Sequence, residues 1–436
     1  MSQAPRPAAA GGLPPTVPLG YLAAAAGAYV LAALGVVWLA PELSRHYYQP
    51  RVIALTHLVT LGWITLAIMG ASYQIVPVVL GRPLWSARLA RWQLGILVVS
   101  VAGMVSHFFR GTSVGLLSAA ALLAVGIVLH LVNLAMSLRG FRGWTFTARA
   151  VVLGYAGLAL TTLFGLALGV NRLWLILPGD VLSILHAHVH LALLGWVTPM
   201  VFGVSARIYP MFLLAPEPAP ALGRVQLLGL AAGVPMLVVG LIAAPGLVLP
   251  GALGVAAAVA AHGLSVIAMI RGRKRPALDA GLRVMLSGAL FLVPLTAMGL
   301  GFALDLLSGP RAALAYAALA LGGWISLTIA GAMLKIVPFL VWYRVYSPQA
   351  GRAAVPTLAQ LAWPRMEALA YALLVSGIIL LALGVGAAEV RWIRGAGVVL
   401  VLGALALAAA LGHVLRHLAV AARGPGLRLG VRLQAP

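Results

Sequence analysis

The chain has 436 residues, 63% of them hydrophobic and only 8% charged, which excludes a soluble globular protein and marks a polytopic helical membrane protein. The net charge of +22 does not signal nucleic acid, because the basic residues are scattered over short loops between hydrophobic runs, as topology signals are. With no cysteine, disulfides, thiolate metal sites and a c-type heme attachment motif are excluded.

Residues 1–19 are Pro/Ala-rich and read as a disordered lead-in. Twelve apolar runs long enough to cross a bilayer as helices follow, over 20–40, 52–80, 90–109, 114–138, 148–170, 181–214, 222–244, 247–270, 281–305, 312–343, 366–387 and 393–420. Barrel strands would be shorter and would alternate in polarity. The fold class expected is therefore all-α, with one twelve-helix membrane domain over 20–424 and a tail over 425–436. The loops after the second, fourth and eighth runs are rich in Arg and Lys (Arg82, Arg88, Arg91; Arg139, Arg142; Arg271, Arg273, Lys274, Arg275). The opposite side carries few, such as Arg110, Arg172 and Arg311. The positive-inside bias then places both termini in the cytoplasm, and the membrane expected is the cell's inner (plasma) membrane.

The second run opens with His57-Leu58-Val59-Thr60-Leu61-Gly62-Trp63, and the sixth with His186-Ala187-His188-Val189-His190 followed by Leu191-Ala192-Leu193-Leu194-Gly195-Trp196. Aligned on Trp63, Trp196 and Trp324, a Gly stands one residue before each (Gly62, Gly195, Gly323) and seven after (Gly70, Gly203, Gly331). An Ile stands twelve after (Ile75, Ile208, Ile336) and a Pro fourteen after (Pro77, Pro210, Pro338). Three gapless copies define three four-helix repeats, about 20–138, 148–270 and 281–420, expected to relate by a pseudo-threefold axis with the Trp-bearing helices innermost. The fourth helix of each repeat holds a histidine (His130, His262, His413), read as inherited scaffold, such as a hydrogen bond to a neighbouring helix, with a ligand as the alternative.

An ionisable group within a membrane helix is costly unless paired, hydrated or metal-bound, so His57 and the cluster of His186, His188 and His190 are the functional candidates. On an α-helix His186 and His190 share a face one turn apart, and His188 points roughly the other way. Imidazole suits iron, copper and zinc. His186 and His190 can grip one metal together, or one can bind heme while His188 faces another partner. The plainer alternative is three histidines hydrogen-bonded in an aqueous vestibule. Asp180 reads as an N-cap, or as a carboxylate orienting a ligand histidine. Gln74, Arg207 and Lys335, eleven residues after each Trp, read as interfacial side chains or as a polar mouth. His46 is expected to be solvated, His107 interfacial, and His413 with His417 a weak metal pair.

Three arcs of four helices with histidines near the outer ends of the second and sixth resemble the heme-copper oxidase catalytic subunit, most closely its divergent twelve-helix branches such as the NnrS-like proteins. The resemblance spans nearly the whole chain in architecture. It implies heme of the b type and copper as cofactors, with His57, His186, His188 and His190 as cofactor-binding residues and His186 and His190 as metal ligands. Beside the lipid bilayer, it implies a respiratory electron donor or complex as partner. The chain departs from the oxidases at the tenth helix, where Ala318 stands at the ligand position, and at the seventh, where Leu222 to Ala244 contains no histidine. No His-Pro-Glu-Val-Tyr-like run occurs. The expectation is a redox or nitric-oxide/gas-handling protein rather than a terminal oxidase. A His-lined transporter and a metal-delivery or assembly protein for a respiratory complex are the alternatives.

Overall fold

In the computed structural model, which describes residues 15–422, all twelve expected spans form helices. They are α1 (Thr16–Trp38), α2 (Pro50–Pro77), α3 (Ala87–Arg110), α4 (Ser113–Leu138), α5 (Phe146–Trp174), α6 (Val181–Leu213), α7 (Pro220–Ile242), α8 (Pro245–Arg271), α9 (Ala280–Ala303), α10 (Gly309–Val345), α11 (Pro364–Ala387) and α12 (Val390–Ala419). Each has the length and hydropathy needed to cross a bilayer, and no named strand occurs among the described residues. Helix α1 begins at Thr16, inside the stretch expected as lead-in. Most of that lead-in, and the tail over 425–436, lie outside the described residues.

Local chemistry sets the helix starts. Asp180, Asp279, Thr145 and Ser86 each accept a hydrogen bond from a backbone N–H in the first turn of α6, α9, α5 and α3. Such caps satisfy donors that the helix itself leaves orphaned.

The three Trp-bearing spans are the three most buried. The buried share of the apolar core is 72% in α10, 61% in α2 and 56% in α6, against 28% to 44% in the other nine. This agrees with the expectation drawn from the repeat.

By internal packing the chain divides into two compact units. Unit one comprises 15–18, Ile68–Pro276 and Thr296–Leu307, and unit two comprises Leu19–Ala67, Ala277–Leu295 and the described chain from Ser308 onward. Within unit one, α5 and α6 meet backbone to backbone: a Cβ on Gly157 would fall 2.0 Å from the Gly195 carbonyl oxygen. Within unit two, α9 and α10 meet in the same way, and a Cβ on Gly331 would fall 2.5 Å from the Gly281 carbonyl oxygen. Only glycine permits such approaches, which is how small residues let membrane helices pack closely.

Candidate functional site

His57 closes the first two α-helical turns of α2, directly before a π-helical segment, Leu58–Thr65. His190 closes the α-helical opening of α6, directly before the π-helical segment Leu191–Val197. In α10 the segment Leu319–Ser326 is π-helical too, directly after Ala318. All three repeats thus widen the helix at one position, the residue aligned with His57. Wide turns of this kind inside helices are frequent at functional sites.

Side-chain hydroxyls accompany the widening in two of the three copies. A π turn disturbs the regular i to i−4 ladder, and carbonyls need other donors. Thr198 Oγ1 donates to the carbonyl of Leu193, five residues back, at 2.8 Å. Ser326 Oγ donates to the carbonyl of Leu321, also five back, at 2.6 Å. Both residues stand two after the aligned Trp, as Thr65 does in α2. Sequence reasoning passed over this hydroxyl, although its recurrence in all three copies was a usable signal.

The two aligned histidines share a second feature. His57 Nδ1 lies 2.8 Å from the carbonyl oxygen of Ile53, and His190 Nδ1 lies 2.8 Å from that of His186. A carbonyl only accepts, so Nδ1 is the protonated nitrogen in both rings and the lone pair sits on Nε2. Counted from the first residues of α2 and α6, the two rings lie about 10 and 14 Å along their helices at helical rise. Both are half-buried.

The other two sixth-helix histidines differ. His188 turns toward α5, where a Cβ on Gly165 would lie 3.2 Å from its Cε1. His186 shares a face with His190 and is half-buried. Asp180 caps α6: its Oδ1 accepts from Leu182 N at 3.2 Å, and its Oδ2 from Ser183 N at 3.0 Å and Ser183 Oγ at 2.9 Å. The Ser183 hydroxyl first, then the two backbone N–H groups, hold the carboxyl below the usual carboxylate range. The capping role expected of Asp180 is met, and its oxygens are occupied by that role.

The fourth-helix histidines sit against aromatic rings. His262 stacks on Phe202, with centroids 3.9 Å apart and planes at 6°. His413 lies 5.2 Å from Trp363. His130 is edge-on to Tyr73 and Tyr155. For His130 the expected hydrogen bond to a neighbouring helix is not formed: neither ring nitrogen has a partner among the described residues. His417 Nδ1 pairs with the Tyr346 hydroxyl at 2.6 Å, and His413 Nε2 faces the Arg416 guanidinium at 3.1 Å, an arrangement unsuited to a cation. His46 stacks on Tyr47, and His107 Nδ1 meets Thr112 Oγ1 at 2.7 Å.

Of the three polar residues eleven after each Trp, Arg207 is paired with Glu217 at 3.0 Å and Lys335 with Asp279 at 2.5 Å. Each meets a carboxylate rather than simply reaching for the interface.

Among the described residues, no three His, Asp or Glu side chains gather as a metal site. Copper or zinc held by side chains alone commonly takes three or four protein ligands. Heme brings four nitrogens of its own and asks the protein for one or two axial ligands. A neutral imidazole with Nδ1 bonded to a carbonyl and Nε2 bearing the lone pair is the donor that heme iron takes, so His57 and His190 fit that group.

No protein-family model matches the sequence, and no curated protein matches it. Among solved structures, the cryo-EM structure of a heme-copper terminal oxidase dimer is similar over 95% of this chain and 85% of that chain, with a TM-score of 0.65 and 12% sequence identity. At that identity the likeness is one of fold. It joins the twelve apolar helices to an architecture that the repeats had pointed to, and the chain is a multi-pass membrane protein with the heme-copper-oxidase-like fold.

Proposed function

We propose that this protein is a heme-binding, redox or gas-handling member of the divergent, NnrS-like branch of that fold, seated in the plasma membrane with both termini cytoplasmic. Each of His57 and His190, taken by itself, offers Nε2 as a ligand to heme iron. The observation that carries the reading is the common build of these two residues: repeat-aligned, each closing an α-helical turn before a π segment, each with Nδ1 committed to the carbonyl one turn back. That bond orients the ring and raises the basicity of the other nitrogen, which is what a metal-bound histidine requires of its surroundings.

When bound, heme would supply reversible one-electron chemistry and affinity for a diatomic gas such as nitric oxide. The chain's own contribution is ligation and orientation at an apolar helix opening, which strengthens the bond to a neutral donor and excludes bulk water. His186 lies one turn from His190 and, with it, is the pair a copper ion would use. Among the described residues no third His, Asp or Glu side chain gathers with that pair for copper. Heme is therefore the favoured cofactor. The apolar residues at Ala318 and along α7 leave the oxidase ligand positions unfilled, so sustained oxygen reduction is not part of the reading.

The test is an optical spectrum of the purified protein, oxidised and dithionite-reduced, with metal analysis. We expect b-type bands and iron. His57→Ala and His190→Ala should each remove the bands or shift them, while His262→Ala leaves them in place. A colourless, iron-free preparation, reproduced after supply of heme during expression, would turn the reading toward a transporter or assembly factor. Bands that survive both substitutions unchanged would place the ligands elsewhere.

A further inference from the structure

Unit one contains a second group of polar side chains, not needed for the heme reading. His130 on α4 is fully buried, at 0% exposure, and both its ring nitrogens lack a hydrogen-bond partner. Its ring lies edge-on to Tyr155 of α5, with centroids 5.5 Å apart, and to Tyr73 of α2 at 4.8 Å. Tyr155 in turn packs against Trp196 of α6 at 5.5 Å. The Tyr155 hydroxyl faces Ser72 without closing a hydrogen bond, and the Trp196 indole Nε1 is likewise unmatched. Tyr155 is 7% exposed and Trp196 2%.

The nearest hydroxyls are engaged elsewhere. Tyr73 donates to Gln93 Oε1, and Ser72 donates to the Ile68 carbonyl at 2.6 Å. The close approach of α5 and α6 at Gly157 and Gly195 pins Tyr155 beside Trp196, so the cluster cannot open by a small shift of either helix. His130, Tyr155 and Trp196 thus form a run of neighbouring buried rings on three helices, and their four polar atoms close no hydrogen bond with protein.

Buried polar groups without partners are rare, and the usual remedy is ordered water. The donor inventory specifies what fits. An indole N–H only donates, a neutral imidazole donates at one nitrogen and accepts at the other, and a phenol does both. None of these groups carries a fixed charge, so neither a cation nor an anion is matched. A small neutral molecule that both donates and accepts is.

We propose that His130, Tyr155 and Trp196 form a binding site for ordered water inside unit one, a hydrated link joining α4, α5 and α6. The repeat supplies the contrast. Trp63, aligned with Trp196, stacks on Tyr29 at 4.5 Å and closes its N–H directly on Ser326 Oγ at 2.9 Å, within unit two. Water does at Trp196 what the Ser326 hydroxyl does at Trp63.

The experiment is deuterium exchange of the tryptophan indole N–H groups in the intact, detergent-solubilised protein, followed by NMR of 15N-labelled tryptophan. The two resonances are assigned by their loss in Trp196→Phe and Trp63→Phe. The expected result is exchange at Trp196 faster than at Trp63 by an order of magnitude or more. Protection of Trp196 equal to or greater than that of Trp63 overturns the proposal. A second measurement turns on sign. His130→Phe keeps a flat ring and removes both nitrogens. In a wet site it strips water of two partners and lowers Tm by about 2–4 °C. An unchanged or raised Tm means the nitrogens were dry and unmet, and also overturns the proposal. Should this variant fail to fold, the exchange result on the native chain decides.

Discussion

A histidine whose Nδ1 is tied to the carbonyl one turn back keeps its lone pair on Nε2 whatever that nitrogen meets. Alignment of His57 with His190 was legible in the sequence, because both stand six residues before a Gly-Trp pair member, Trp63 or Trp196. The tautomer was not legible, since it depends on the ring angle and on which carbonyl lies within reach. The environment of His130 was equally hidden: sequence alone told of a polar residue in an apolar helix, and tertiary packing decided that aromatic edges, not acceptors, surround it. Asp180 offers a test at this scale. Its folded-state pKa is depressed, first by the Ser183 hydroxyl and then by backbone N–H groups, so its contribution is present above the unfolded value of about 3.9 and is lost as pH falls through the lower folded value. Asp180→Ala should lower Tm at neutral pH, and the gap to the native protein should close progressively below about pH 4. A gap that stays constant down to acid unfolding would show that the carboxylate is not the capping group.

At the scale of the element, the spans were readable because lipid demands long apolar runs, and the cap Asp180 marked the start of α6, while the caps Asp279 and Thr145 came only with the structure. The π segments were not readable from hydropathy, which is blind to a single extra residue per turn. Helix contacts were half legible: glycine is common in membrane helices, and only the structure separates those at a crossing from those facing lipid. Gly157 sits at a crossing, whereas a Cβ on Gly263 would meet nothing within 4 Å. Gly157→Ala should therefore force α5 from α6 at a cost of about 1–3 kcal/mol. Gly263→Ala should be neutral or stabilising by up to about 1 kcal/mol, since alanine is the better helix former. Thermal unfolding of the two variants in one detergent checks the contrast, and equal effects would mean the α5–α6 approach is looser than described.

For the whole molecule, fold and detectable relatedness part company. The likeness to the terminal oxidase covers 95% of the chain at 12% identity. A bilayer accepts almost any apolar residue at lipid-facing positions, so one architecture is compatible with very different sequences, and within this chain the three repeats stay comparable in the spacing of Gly, Trp and Pro. The repeat made the architecture legible without a relative to compare. The site was legible only as a set of candidates, because the residues that matter lie far apart in the chain and their number is small. Orientation can be checked directly. Alkaline phosphatase fused near Gly179, in the loop before α6, should be active on the outer side, and a fusion near Arg142, before α5, should be inactive. The opposite pattern would invert the topology and put the openings of α2 and α6 on the cytoplasmic face.

The wide turn recurs in α10, where Ala318 carries no imidazole. The widening therefore does not depend on an imidazole beside it. Each residue in a helix advances the azimuth by about 100°. Six residues wound as π turns cover about the same azimuth as five at α pitch, so removing one residue between Leu191 and Leu194 should let the segment relax with His190 still facing the same way relative to Trp196. A residue added there has no second wide turn to absorb it and should swing His190 by about 100°. The deletion should therefore leave an inserted, folded protein that keeps the spectrum proposed for it, and the insertion one that loses it, whereas a residue added between Leu319 and Gly322 should spare the spectrum of whatever protein folds. The wide turn is slack in the helix: one codon can be lost behind the histidine without changing which way it faces, and one gained there turns it away.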